Sequence, residues 1–120
     1  MNEKKTKPIP RPGQPVRGSK TGEPIMALFD LMGRRWAMGI LWALNKQGPS
    51  TFRELQAYCD GLSPTVLNTR LKELRAAGLV DHGECGYQAL PLGKELFELL
   101  VPMGRWAVQW GKALESTKTD

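Results

Sequence analysis

The sequence has little of what most site chemistry is built from. It holds one histidine, His82, and two cysteines, Cys59 and Cys85, that do not cluster. That excludes a zinc set, and it leaves no His/Cys or Ser/His constellation for nucleophilic catalysis. No glycine-rich phosphate loop is present, so neither enzyme chemistry nor a cofactor is expected. No apolar run approaches the ~18 residues of a membrane span, and no secretory signal opens the chain. These absences predict a cytoplasmic protein with reduced thiols and no membrane partner. At 120 residues the chain is one domain, with room for a real core.

Acids are scarce in one place. Seventeen Lys and Arg against twelve Asp and Glu give a net +5. Residues 1–22 hold six of the cations and a single acid, Glu3, a balance of 6 − 1 = +5, so 23–120 carries 17 − 6 = 11 cations and 12 − 1 = 11 acids, or zero. The basic character belongs to the tail, and the rest must bind by local patches. With Pro8, Pro10, Pro12 and Pro15 and almost nothing apolar, residues 1–22 are expected to be a disordered basic tail. It serves either as an arm on phosphates or as a solvated end. Residues 23–115 form the folded domain, and 116–120 are expected to be a flexible C-terminus.

The chain is organised around Gly61–Gly78. Ser63 is an N-cap candidate, Pro64 follows at the first helical position, and Gly78 sits where a left-handed residue can close the helix. At about 100° per residue, Leu67, Leu71 and Leu74 form an apolar stripe flanked by Val66 and Ala77. The opposite face reads Thr65, Asn68, Thr69, Lys72 and Glu73. Hydroxyls, an amide and a cation at the front suit a helix entering a DNA major groove N-terminus first. A plain solvated face is the other reading of the same residues.

Upstream, a helix from Pro24 to Gly33 places Ile25, Leu28, Phe29 and Met32 on one face. A second starts near Arg34 or Arg35, turns Trp36, Ile40, Leu41 and Leu44 inward and stops at Gly48-Pro49, with Trp42 a candidate for a partner subunit. Thr51 and Glu54 have capping-box spacing. The short helix behind them turns Phe52, Leu55 and Tyr58 to the core and ends at Asp60-Gly61. Helix, glycine turn, helix is the helix-turn-helix arrangement. Leu79–His82 and Tyr87–Leu90 then read as strands around a Gly83–Gly86 tip, a short wing with no cation. From Pro91 or Leu92 to about Leu114, the series Leu92, Leu96, Leu99, Met103, Trp106, Trp110 and Ala113 makes a heptad seam, with Pro102 inside it to kink the helix. So small a body cannot cover that seam, which predicts homodimerisation completed by the helix near Ile25–Met32. An intramolecular core helix is the alternative.

With these elements in place, the chain resembles the HxlR-type winged helix-turn-helix regulators, a branch near the MarR-like proteins. The resemblance rests on Leu31-Met32-Gly33-Arg34-Arg35-Trp36, Phe52-Arg53-Glu54-Leu55, Leu62-Ser63-Pro64-Thr65-Val66-Leu67, Arg70-Leu71-Lys72-Glu73-Leu74, Gly78-Leu79-Val80 and Leu92-Gly93-Lys94-Glu95-Leu96. In order and spacing these span about residues 24–112. It implies a mainly α fold with a small β-hairpin, extended by N- and C-terminal dimerisation helices. It also implies a dimeric bacterial transcription factor on a near-palindromic operator. Three features depart from the family pattern. Glu23 stands where several relatives carry a reactive cysteine, so that thiol switch does not transfer. The hairpin is short and lacks a basic tip, and Leu90-Pro91-Leu92-Gly93 lacks the usual Thr before the last helix.

The expected function is therefore sequence-specific binding of double-stranded DNA as a homodimer. Ser63, Thr65, Asn68, Thr69 and Lys72 are assigned to the recognition helix surface; phosphate contacts go to Ser50, Thr51, Arg53 and Arg70. Arg53 and Arg70 have ion pairs with Glu54, Glu73 or Asp60 as their alternative. Ile25, Leu28, Phe29, Leu96, Leu99, Met103, Trp106 and Trp110 are assigned to dimerisation. The competing class is a winged-helix protein–protein module without nucleic acid, sustained by the neutral charge of 23–120. A small-molecule or redox effector is open: Cys59 reads as a buried small hydrophobe, and Cys85 as exposed without a cause for a lowered pKa.

Overall fold

The computed structural model describes residues 10–14 and 22–118, so most of the basic tail lies outside the described residues. Five helices and one hairpin follow in the order α1 (Pro24–Met32), α2 (Ala37–Gln47), α3 (Phe52–Tyr58), α4 (Pro64–Ala76), β1 (Val80–Gly83), β2 (Gly86–Ala89) and α5 (Pro91–Lys118). α2 is the hub: Ile40, Leu41, Ala43 and Leu44 are fully or almost fully buried. Around it gather Leu31 of α1, Leu55 of α3, the Leu67, Leu71 and Leu74 stripe of α4, Val80 of β1 and Leu100 of α5.

Local chemistry sets the boundaries. The Thr51 hydroxyl accepts the Glu54 N–H at 3.1 Å while the Glu54 carboxylate accepts the Thr51 N–H at 2.8 Å, a complete capping box that starts α3. Asp60 and Gly61 both adopt left-handed backbone, φ 59° and 71°, which makes the tight turn into α4. α4 starts on Ser63 and Pro64 as its sequence dictates, and the Leu79 N–H closes its far end on the Leu74 carbonyl at 3.0 Å.

The hairpin pairs His82 with Tyr87 and Gly83 with Gly86, leaving Glu84 and Cys85 as the tip. Each strand lies one residue nearer the tip, at both of its limits, than the periodicity reading of Leu79–His82 and Tyr87–Leu90. The sequence also hid a third backbone partner. Ser50 exchanges both of its hydrogen bonds with Tyr87, at 2.9 and 2.8 Å, and so ties the α2–α3 connection to the wing. Gly86 allows this approach: at φ 118° it lies so close to Ser50 that a Cβ would stand 2.5 Å from the Ser50 carbonyl oxygen.

Several side chains lie elsewhere than their periodicity suggests. Trp36 is not within α2 but caps it from a left-handed position (φ 73°), half-buried. Trp42 packs edge-on against Phe97 of the same chain, ring centroids 5.0 Å apart. Tyr58 points outward, 46% exposed, because seven residues give α3 only two turns and Leu55 takes the core position. α1 touches the core through Ala27 and Leu31, which leaves Ile25 and Phe29 outside. α5 runs unbroken through Pro102 to Lys118, beyond the expected end at Leu114.

Candidate nucleic-acid interface

The α3–α4 pair presents one polar surface. Its base is the α4 stripe, at most 1% exposed at Leu67, Leu71 and Leu74, which fixes the helix's rotation about its own axis. That rotation leaves Thr65, Asn68 and Lys72 exposed. The Ser63 hydroxyl accepts the Val66 N–H at 3.2 Å and stays exposed at the helix start. Thr69 is half-buried, and its hydroxyl donates to the Thr65 carbonyl at 2.9 Å. The hydroxyl proton is therefore engaged, while an oxygen lone pair and the methyl group remain for a ligand. Thr51 and Arg53 are exposed on α3, and no ion pair to Arg53 forms among the described residues.

Three residues of the expected surface are placed differently. Ser50 is 3% exposed, with its hydroxyl donating to the Gly48 carbonyl at 3.0 Å, so it is not available to a phosphate. Glu73, read as part of the outer face, is 4% exposed. Its carboxylate accepts from Arg34 at 2.9 Å and from Arg70 at 3.2 Å. Arg70 is thereby held inward, and its Nε also donates to the Arg35 carbonyl at 2.6 Å. The Arg70–Glu73 pair is the alternative the sequence offered for Arg70, while the Arg34 half of the clasp was missed because that partner lies 39 residues away in sequence. The signal that was available is a lone acid bordering a stripe of leucines.

The apolar face is as well defined. On α1, Ile25 and Phe29 are 49% and 55% exposed; on α5, Leu99, Met103, Trp106 and Trp110 are all more than half exposed. Trp106 and Trp110 stack on each other, centroids 5.8 Å apart. Leu28 and Leu96 are half-buried where the two helices enter the body. A cavity of about 190 Å³ opens there, between Leu28, Leu31, Ala77 and Leu96, with Pro10 and Arg11 on its rim. It is not lined by Trp106 or Trp110. Arg11 also donates to the Ala76 carbonyl at 3.4 Å.

Both cysteines are free. Burial, with a smaller push from the Asp60 carboxylate, raises the Cys59 thiol above its ordinary range, so it is a poor thiolate. No group of metal-ligating side chains occurs among the described residues, and none of their helices is long and apolar enough to cross a membrane.

This arrangement has relatives. Residues 31–115 match the HxlR-like helix-turn-helix family. Two Bacillus subtilis proteins, each described as an uncharacterized HTH-type transcriptional regulator, are similar in sequence. YybR is 28% identical over 110 residues, covering 85% of this chain and 86% of its own. YvaP is 32% identical over 88 residues, covering 68% of this chain and 81% of its own. A crystal structure of a possible HxlR family transcriptional factor from Thermoplasma volcanium superposes with a TM-score of 0.60 at 24% identity, over 71% of this chain and 82% of that one. That last likeness speaks for the fold: a mainly helical body with one antiparallel hairpin, the winged helix-turn-helix. The chain belongs to the HxlR-like helix-turn-helix family, a family of DNA-binding transcriptional regulators and not of enzymes.

Proposed function

We propose that the protein acts as a homodimer on an inverted-repeat operator, each subunit laying α4 in the major groove. The observation that carries this is the outward Thr65, Asn68 and Lys72 face of α4, set on a sealed leucine stripe. Ser63, Thr65, Asn68, Thr69 and Lys72 read or border base edges, and Thr51 and Arg53 meet phosphate. The exposed seam of Ile25, Phe29, Leu99, Met103, Trp106 and Trp110, with Leu28 and Leu96 at its inner end, pairs two subunits. Twofold symmetry turns the two α4 helices toward one side of the dimer, and successive major grooves of B-DNA require them to stand about 34 Å apart. Such a role would place the protein in the cytoplasm.

Gel-shift and footprinting on the region upstream of its own coding sequence test this reading. Protection of two half-sites, with affinity falling steeply as salt rises, supports it. Binding that is insensitive to salt, or no binding to duplex at all, would favour the protein–protein module instead. Within a bound operator, Asn68→Ala should relax preference at one position by ~1–3 kcal/mol and leave the others unchanged. An equal loss on every sequence would remove Asn68 from base readout.

A further inference from the structure

Two adjacent arginines stand at the corner between α1 and α2, and the fold sends them in opposite directions. The Arg34 side chain is 13% exposed and binds Glu73. Arg35 is exposed, and its side chain makes no ion pair or hydrogen bond among the described residues. Its backbone, in contrast, is gripped: the Arg35 carbonyl accepts the Arg70 Nε–H at 2.6 Å, while Arg70 is itself braced on Glu73. Trp36, in left-handed backbone immediately after, helps set the corner's direction.

The grip locates Arg35 relative to α4. At 100° per residue, Val66, Thr69, Arg70 and Glu73 form the flank of α4 next to its Thr65, Asn68 and Lys72 face. The corner therefore lies along one side of the helix, not over its tip or behind it. A helix with its side chains is about 10–12 Å across, and the major groove is about 12 Å wide. What lies on the flank of a helix in that groove is the phosphate backbone. A guanidinium there has the charge and the planar donor fork that suit a phosphate.

We infer that Arg35 is a phosphate-contacting residue of the duplex interface, and that Arg70 acts as its positioning residue by holding the Arg35 backbone against α4. This rests on the DNA-binding reading above, and it moves Arg70 from contacting phosphate to supporting a residue that does. Arg34 supplies the inward half of the pair: it and Arg70 share the Glu73 carboxylate, so Arg35 is the cation left free to meet the duplex.

Fluorescence anisotropy with the full chain, an operator duplex and an unrelated duplex of equal length, each titrated with salt, tests both parts. Arg35→Ala should weaken binding to both duplexes by the same factor, about tenfold at low salt, and lower the slope of log K against log salt by ~0.9 per subunit. Its melting temperature should match the wild type, because the side chain holds nothing. Arg35→Lys should keep the slope. Arg70→Lys should weaken binding in the wild type but add little in the Arg35→Ala background. The inference is overturned if Arg35→Ala leaves affinity and slope unchanged, or if it harms only the operator. Fully additive losses for Arg35→Ala and Arg70→Lys would overturn the positioning role. Failure of the wild type to bind any duplex would instead sink the DNA-binding reading itself, which separates the two.

Discussion

α4 and α5 are both amphipathic, and they meet opposite fates. The leucine stripe of α4 is sealed by α2, α3 and β1, so what it shows the solvent is hydroxyl, amide and cation. α5 buries Leu100 and half-buries Leu96 and Phe97, then leaves Leu99, Met103, Trp106, Val108, Trp110 and Leu114 outside. The cause is reach. Twenty-eight residues at ~1.5 Å each carry α5 for roughly 42 Å, past the end of the body it springs from. An apolar stripe in a sequence marks a face that needs cover, but not whether the cover comes from the same chain. Where the chain supplies it, the opposite polar face becomes the working surface. Where it does not, the apolar face is the one that the proposed function uses, since a contiguous apolar patch is characteristic of interaction sites.

The harshest way to break this contrast is to place a charge in the uncovered seam. Trp106→Glu sets a carboxylate at the centre of the proposed dimer contact, where pairing would desolvate it without a partner. The expected result is a monomer by light scattering, with helical content by circular dichroism retained. Operator affinity should fall about a thousandfold, ~4 kcal/mol, because one α4 engages one half-site alone. A variant that stays dimeric and binds normally would remove Trp106 from the interface.

A milder test applies one truncation to both helices. Leu71→Ala cuts into the sealed stripe and should cost about 3 kcal/mol in urea unfolding, within the range for cavities in packed cores. That loss should not depend on protein concentration. Leu99→Ala removes the same atoms from a residue 66% exposed in the single chain. It should change subunit unfolding by no more than about 0.5 kcal/mol and act instead on the concentration at which the dimer dissociates. If the two outcomes were exchanged, the assignment of cover in the two helices would be wrong.

How much of this was legible beforehand follows the same division. Elements whose boundaries are set by neighbours in sequence could be read directly: Thr51 and Glu54 cap α3, Ser63 and Pro64 start α4, and Leu67, Leu71 and Leu74 are its buried stripe. What periodicity could not supply is contact between distant residues. Glu73 reads with the polar face, but at 100° per residue it lies on the flank of α4, where Arg34, 39 positions earlier, and Arg70 pair with its buried carboxylate. Ser50 reads as a polar residue before a helix, and only its pairing with Tyr87 buries it. Arg34 and Arg35 are neighbours in sequence, and only the fold separates them: Arg34 pairs with the buried Glu73, while the Arg35 side chain is exposed. The candidate surface was thus legible where α4 alone defines it, at Thr65, Asn68 and Lys72. It was not legible along the flanks, where tertiary packing decides which cation stays free.

The smallest effect probes how dry the sealed side is. Cys59 lies in the core cluster with the α4 leucines, 1% exposed, and burial holds its thiol pKa above the ordinary 9.0. For an acid whose folded pKa lies above its unfolded one, the native state keeps its proton after the unfolded chain has released it. Stability then has no slope from this group below about pH 8, and falls as pH rises through 9 and beyond, by at most ~1.4 kcal/mol per pH unit. Urea unfolding across that range should show the fall, and Cys59→Ala should flatten it. Cys85, exposed at the wing tip, gives the contrast within one molecule: a thiol reagent at neutral pH should modify it first and leave operator affinity unchanged. A Cys59→Ala slope identical to wild type would assign the alkaline loss to other groups. It would also mean that the Cys59 thiol titrates alike in the folded and the unfolded chain, against the upward push that its burial predicts.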